Sequence, residues 1–105
     1  MGQLRRKVHN YTIVAVDKDG TIPDFHIYSF TALRVREGKE VGHYHCQSFP
    51  ENDRKARQQI VKEFRAFIGD DLVLIGVVSD MIPIMEKLYL DNCEAYFTNV
   101  SLDLF

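Results

Sequence analysis

Ile13-Val14-Ala15-Val16-Asp17-Lys18-Asp19-Gly20-Thr21 is an apolar strand that runs into two carboxylates spaced i, i+2. In a strand, residues two apart point to the same side. Extended geometry carried past Asp17 brings Asp17 and Asp19 to one spot and turns Lys18 away. Two convergent carboxylates at the end of a buried strand suit a hard divalent cation or a nucleophile and acid pair. The same residues also suit a turn, because Asp accepts local backbone hydrogen bonds and Gly supplies a positive φ. Where the strand stops decides between a site and a bend.

Working outward, Tyr11 to Val16 is a near-continuous apolar run and predicts a central strand buried on both faces. Thr21 to Asp24 is a Pro-containing loop. Phe25 to Arg36 reads as a long β segment with Ile27, Tyr28, Phe30, Leu33 and Val35. Glu37-Gly38-Lys39 predicts a tight hairpin, and Glu40 to Phe49 returns as a third strand until Pro50 breaks it. Asn52 or Asp53 caps a helix to about Ile68, with Ala56, Ile60, Val61, Phe64, Phe67 and Ile68 at helical spacing. Gly69-Asp70-Asp71 closes it.

Leu72 to Val78 is a further buried strand. Ser79 caps a helix to about Leu90, with Pro83 tolerable in its first turn. Asp91-Asn92 ends that helix, Ala95 to Phe97 is a short last strand, and Thr98 to Phe105 is a tail. The order β-β-β-α-β-α-β predicts an α/β fold with a mixed sheet. Its first three strands are expected antiparallel, and the later ones parallel to the first.

At 105 residues, with 46% hydrophobic and 27% charged residues, the chain is expected to be one globular domain spanning residues 1–105. Residues 1–9, with Arg5-Arg6-Lys7, read as a solvated, flexible basic terminus. A formal net charge of -2 argues against binding nucleic acid by bulk electrostatics, though not against a local basic patch. Neither a secretory apolar core nor a membrane-length run is present, which predicts a cytoplasmic protein off the membrane. Cys46 and Cys93 have no CxxC partner and read as free thiols. His43 and His45 flank Tyr44 and read as a solvent-facing strand edge rather than a metal half-site, since no third ligand is near. Two helices cannot easily cover both faces of a five-stranded sheet. Apolar surface is therefore expected near Tyr96, Phe97, Leu102, Leu104 and Phe105, with a homodimer or a larger protein partner on it.

Several stretches together carry a resemblance. Val14-Ala15-Val16-Asp17-Lys18-Asp19 is similar to an apolar strand with a D-x-E motif. Leu33 to Val41 resembles the hairpin that follows, and Phe49-Pro50 the end of the third strand. Phe67-Ile68-Gly69-Asp70-Asp71-Leu72-Val73-Leu74 resembles the approach to a second motif. Val78-Ser79, Ile82-Pro83 and Glu86-Lys87 resemble its surroundings, and Phe97-Thr98-Asn99 with Leu102-Asp103 the segment after the last strand. In this order and spacing the chain resembles the DNA polymerase III epsilon-type, RNase T-like 3'–5' exonucleases. They are DEDD-superfamily enzymes with a ribonuclease H-like fold.

The resemblance implies a two-metal nuclease site, Mg²⁺ or Mn²⁺ as cofactor and single-stranded nucleic acid as partner. It carries over Asp17 as the first acid and metal ligand. Asp19, also a metal ligand, stands where the family has Glu. The second motif, H-N-x-x-F-D, is altered. A gapless match puts Gly76 and Val77 at His-Asn and Met81 at the acid, whereas a one-residue deletion puts Asp80 there. Met is a poor ligand for a hard cation. The third motif, a His four or so residues before an Asp on a later helix, has no counterpart up to Phe105.

The expected catalytic set is therefore Asp17, Asp19 and Asp80, with at most one weak metal site on Asp17 and Asp19. The function implied is an exonuclease-like domain with an incomplete site that binds nucleic acid or protein. The alternative is an active 3'–5' exonuclease completed by other residues. Asp17-Lys18-Asp19-Gly20-Thr21-Ile22 is also similar to the first motif of haloacid dehalogenase-type phosphatases, with Asp17 as nucleophile and Asp19 as general acid. The two resemblances differ in whether the second strand runs antiparallel or parallel to the first.

Overall fold

The computed structural model describes residues 10–21, 24–75 and 81–103. Five strands form one sheet in the order β3-β2-β1-β4-β5. They are β1 (Asn10–Thr21), β2 (Asp24–Arg36), β3 (Lys39–Cys46), β4 (Leu72–Ile75) and β5 (Ser101–Asp103). The helices are α1 (Arg54–Ile68), before β4, and α2 (Met81–Cys93), after it. β1, β2 and β3 are antiparallel, while β4 pairs parallel to β1 and β5 parallel to β4. This α/β arrangement of a mixed sheet and two helices agrees with the element order read from the sequence.

Local chemistry accounts for the joints. The loop between β2 and β3 is Glu37-Gly38, both at positive φ (52° and 79°), the pair of conformations that suits a twisted two-residue hairpin. At the start of α1, Asp53 accepts a hydrogen bond from the Ala56 amide at 3.0 Å, so it caps the helix as expected. Gly69 ends α1 with φ of 58° and donates its amide to the Arg65 carbonyl at 2.9 Å.

The core lies on one side of the sheet. Val14 and Val16 of β1 are buried in one cluster with Phe30, Ala32 and Val73. From α1 that cluster takes Val61, Phe64 and Ile68, and from α2 Ile84, Met85, Leu88 and Tyr89. Phe30 anchors it, with ring centroids 4.5 Å from Phe64 and 5.2 Å from Phe49. Both helices therefore pack on the same face, and among the described residues no helix covers the other.

On that other face the register aligns two apolar rows, Val35–Tyr11–Leu72 and Leu33–Ile13–Leu74. Val35 is buried, and the remaining five are half-buried. The expectation that β1 and β4 are buried on both faces is thus corrected. Their apolar runs reflect a core on one side and a partly open apolar strip on the other.

Other boundaries also move. Ala95 to Phe97 is not a strand. Phe97 is apolar because it packs edge-to-face on Tyr89, with centroids 5.4 Å apart. The last strand falls instead at Ser101–Asp103, inside the expected tail. Asn99 prepares it by donating to the carbonyls of Gly69 at 3.0 Å and Asp71 at 2.8 Å. β3 stops at Cys46 rather than Phe49, and α2 runs on to Cys93. Tyr96 is exposed as expected, whereas Phe97 is buried.

Cys46 and Cys93 are free, and burial pushes both thiols up. The basic terminus 1–9, the end of the predicted fourth strand at 76–78, the Ser79 cap, Asp80, Leu104 and Phe105 lie outside the described residues. Among the described residues no helix is long and apolar enough to cross a membrane.

Candidate functional site at the carboxyl end of the central strand

β1 lies between β2 and β4, and its strand geometry persists through Asp17-Lys18-Asp19 to Thr21. The D-x-D-G stretch is therefore strand and not a hairpin bend. Asp17 and Asp19 are both exposed and Lys18 is half-buried. Alternation sets the two carboxylates on one face, the face opposite the helices. Lys18 folds back to donate to the Gly20 carbonyl at 2.8 Å.

One residue that spacing alone did not reveal joins them. Asp17 pairs with Ser29 and Lys18 with Ile27, so the ladder skips Tyr28. Such a bulge re-aims a side chain. The Tyr28 hydroxyl donates to Asp19 Oδ2 at 3.4 Å, while Asp19 Oδ1 accepts the Gly20 amide at 2.9 Å. The negative charge of Asp19, with smaller contributions from burial, the hydrogen bond to Asp19, Glu51 and Asp17, raises the Tyr28 pKa. Tyr28 therefore stays a protonated donor at neutral pH. The packing carries the mark of this bulge. Ile27 and Phe30 both pack on the core although they are three apart, which strict alternation forbids.

Beside Tyr28, His26 Nδ1 lies 3.5 Å from Glu51 Oε1. A cavity of about 410 Å³ opens next to this pair, between β2 and α2. Ile27, Phe49 and Leu88 give it apolar walls, and Arg57, Lys87 and Asp91 line it with charge. The Arg57 guanidinium stacks 4.4 Å from the Phe49 ring centre and donates to the Pro50 carbonyl at 2.8 Å. Lys87 pairs with Asp91 at 3.0 Å. The end of β1 thus presents an acidic cluster of Asp17, Asp19 and Glu51 around a tyrosine donor.

A two-metal centre needs more than this cluster supplies. Among the described residues no three His, Cys, Asp or Glu side chains group to hold a metal ion. Asp17 and Asp19 together offer one ion two carboxylates, and Asp19 already accepts two hydrogen bonds. The second-motif acid position falls on Asp80, outside the described residues, or on Met81, the first residue of α2. His43 and His45 are exposed on the edge strand β3. His43 lies 3.7 Å from Glu40, and His45 lies 2.7 Å from the Thr31 hydroxyl, so both serve a solvent-facing edge. β1 and β2 are antiparallel, which is not the parallel arrangement that the phosphatase resemblance implies.

No known protein family matches this chain, and no curated protein matches it.

Proposed function

We propose that this chain is a 3'–5' exonuclease-like domain with a ribonuclease H-like fold and an incomplete metal site, acting as a nucleic-acid-binding module. The observation that carries the reading is the placement of Asp17 and Asp19 on one face at the far end of the central strand. That strand is flanked by the antiparallel β2–β3 meander on one side and parallel β4 on the other. Ligands of open α/β sheets sit outside the carboxyl ends of such strands. Among the described residues only Asp17 and Asp19 are offered to an ion there, which favours impaired chemistry, because phosphoryl transfer depends on electrostatic stabilisation that one ion on two carboxylates supplies poorly. A second copy of the chain on the open sheet face completes the reading.

The test is incubation of the chain with single-stranded DNA and Mn²⁺, alongside Asp17→Asn. The reading expects no digestion that tracks with Asp17. Robust digestion lost in Asp17→Asn would instead establish the alternative, an active exonuclease completed by other residues.

A further inference from the structure

A second site lies on the helix side of the sheet, away from Asp17 and Asp19. One cavity runs between α1 and the end of α2, lined by Lys55, Gln58, Lys62, Arg65, Cys93 and Glu94 among others. The next runs between α1 and the segment after α2, lined by Lys62, Arg65, Ala66, Tyr89, Tyr96 and Asn99 among others. Lys62 and Arg65 line both, so the two cavities adjoin along α1 and together are called the groove. The helical rise separates Lys55 from Arg65 by about 15 Å along the axis.

The groove is basic in a chain of net charge -2. α1 carries Arg54, Lys55, Arg57, Lys62 and Arg65 against Glu63. Lys55, Lys62 and Arg65 are exposed, and among the described residues none of the three forms an ion pair. Glu94 is the acid on the groove's own rim. Glu63 lies near the Tyr44 hydroxyl, and Asp91 is held by Lys87. At the groove's other end Tyr96 is 77% exposed, an aromatic ring spent on no core contact.

We propose that this groove binds the phosphate backbone of single-stranded nucleic acid, with Lys62 and Arg65 on phosphates and Tyr96 as a stacking platform. A positive channel combined with an aromatic face is the recurring solution for unpaired strands. An acidic peptide would use the cations and leave the ring idle, and an anionic membrane favours cations on a protruding surface rather than a recessed one. The proposal rests on reading the chain as a nucleic-acid-binding module and assigns the surface that does the binding.

Fluorescence anisotropy of a labelled oligothymidylate of about twelve nucleotides tests it. The wild-type chain is titrated beside a Lys62→Gln/Arg65→Gln double variant, Tyr96→Ala, and the hairpin control Lys39→Gln, each checked for folding by thermal melting. The double variant should lose about tenfold or more in affinity at about 50 mM salt, with a flatter dependence on salt up to about 200 mM. Tyr96→Ala should lose about fivefold or more, and Lys39→Gln should bind as wild type. Unaltered affinity of the folded double variant would overturn the groove. So would no binding by wild type at about 100 μM, or displacement of the probe by polyglutamate as readily as by unlabelled oligothymidylate. The failures are distinguishable. Undiminished binding by the folded double variant counts against the groove alone, no binding by wild type counts against the nucleic-acid-binding reading as well, and Asp17-dependent digestion counts only against the impaired site.

Discussion

Arg36 of β2 donates to both carboxylate oxygens of Asp71 at 2.9 Å, joining β2 to the turn that leads from α1 into β4. The fully buried Thr12 of β1 adds its hydroxyl to Asp71 Oδ2 at 2.8 Å. Three elements distant in sequence thus share one carboxylate that is 16% exposed. Removing it strands a partly buried guanidinium and a buried hydroxyl. Asp71→Ala should cost about 3 kcal/mol in urea unfolding, and Asp71→Asn about half of that. A loss under about 0.5 kcal/mol for Asp71→Ala would show that the pair behaves as an ordinary surface ion pair.

Tyr89 supplies the opposite case. Its ring is 1% exposed, and its hydroxyl is buried with no hydrogen-bond partner. A buried polar group without a partner is a net cost. Tyr89→Phe should therefore stabilise the fold by about 1 kcal/mol. Burial pushes the Tyr89 pKa to about 12, above its ordinary value of 10.0. The folded state keeps this proton after the unfolded chain has lost it. The associated stability is fully present below pH 10 and is lost as pH rises towards 12. Chemical denaturation across that window should show a steeper alkaline loss for wild type than for Tyr89→Phe. Equal slopes would exclude Tyr89 as the source.

The strand-forming and helix-forming segments were legible because their apolar periods are strong. β2 alternates, α1 repeats Val61, Phe64 and Ile68 down one face, and Glu37-Gly38 marks the hairpin. The strand that carries Asp17 and Asp19 is legible for the same reason, and it continues through both residues. What escaped the reading depends on contacts between distant residues. Phe97 looks like strand because it is apolar, and only its contact with Tyr89 explains it. Ser101–Asp103 looks like tail because its pairing depends on Asn99 bridging to Gly69 and Asp71. Tyr28 enters the acidic cluster through a bulge, which adds one residue and so hides behind intact-looking alternation. The placement of both helices on one face follows from packing and could not be read from their own amphipathic patterns.

Metal binding at the acidic pair should be weak. Asp17 and Asp19 are exposed, and the Asp19 oxygens are already engaged by Gly20 and Tyr28. Mg²⁺ gives up its waters reluctantly and asks for near-octahedral oxygen ligation. Calorimetric titration should find at most one site, of millimolar or weaker affinity for Mg²⁺ and somewhat tighter for Mn²⁺. Tyr28→Phe, which frees one Asp19 oxygen, should tighten Mn²⁺ binding slightly. Two tight Mn²⁺ sites abolished by Asp17→Asn would refute the expectation and restore a full nuclease centre.

The rows Val35–Tyr11–Leu72 and Leu33–Ile13–Leu74 leave an apolar strip on the sheet face that no described helix covers. The strip gives way along the same face to Thr31–Ala15 and then to Ser29–Asp17, so it is apolar at one end and acidic at the other. A second copy related by a two-fold axis can lay apolar end on apolar end and keep the two acidic ends in water. Two copies with their strips superposed in the same direction would bring like charges together. A symmetric dimer satisfies both demands with one surface. Light scattering after size exclusion at micromolar concentration should report a dimer. Ile13→Glu puts a charge at the centre of the strip without touching the helix-side core, so it should give a folded monomer with an unchanged far-ultraviolet spectrum. A wild-type monomer at that concentration, or a dimer that survives Ile13→Glu, would show that the face is covered in another way.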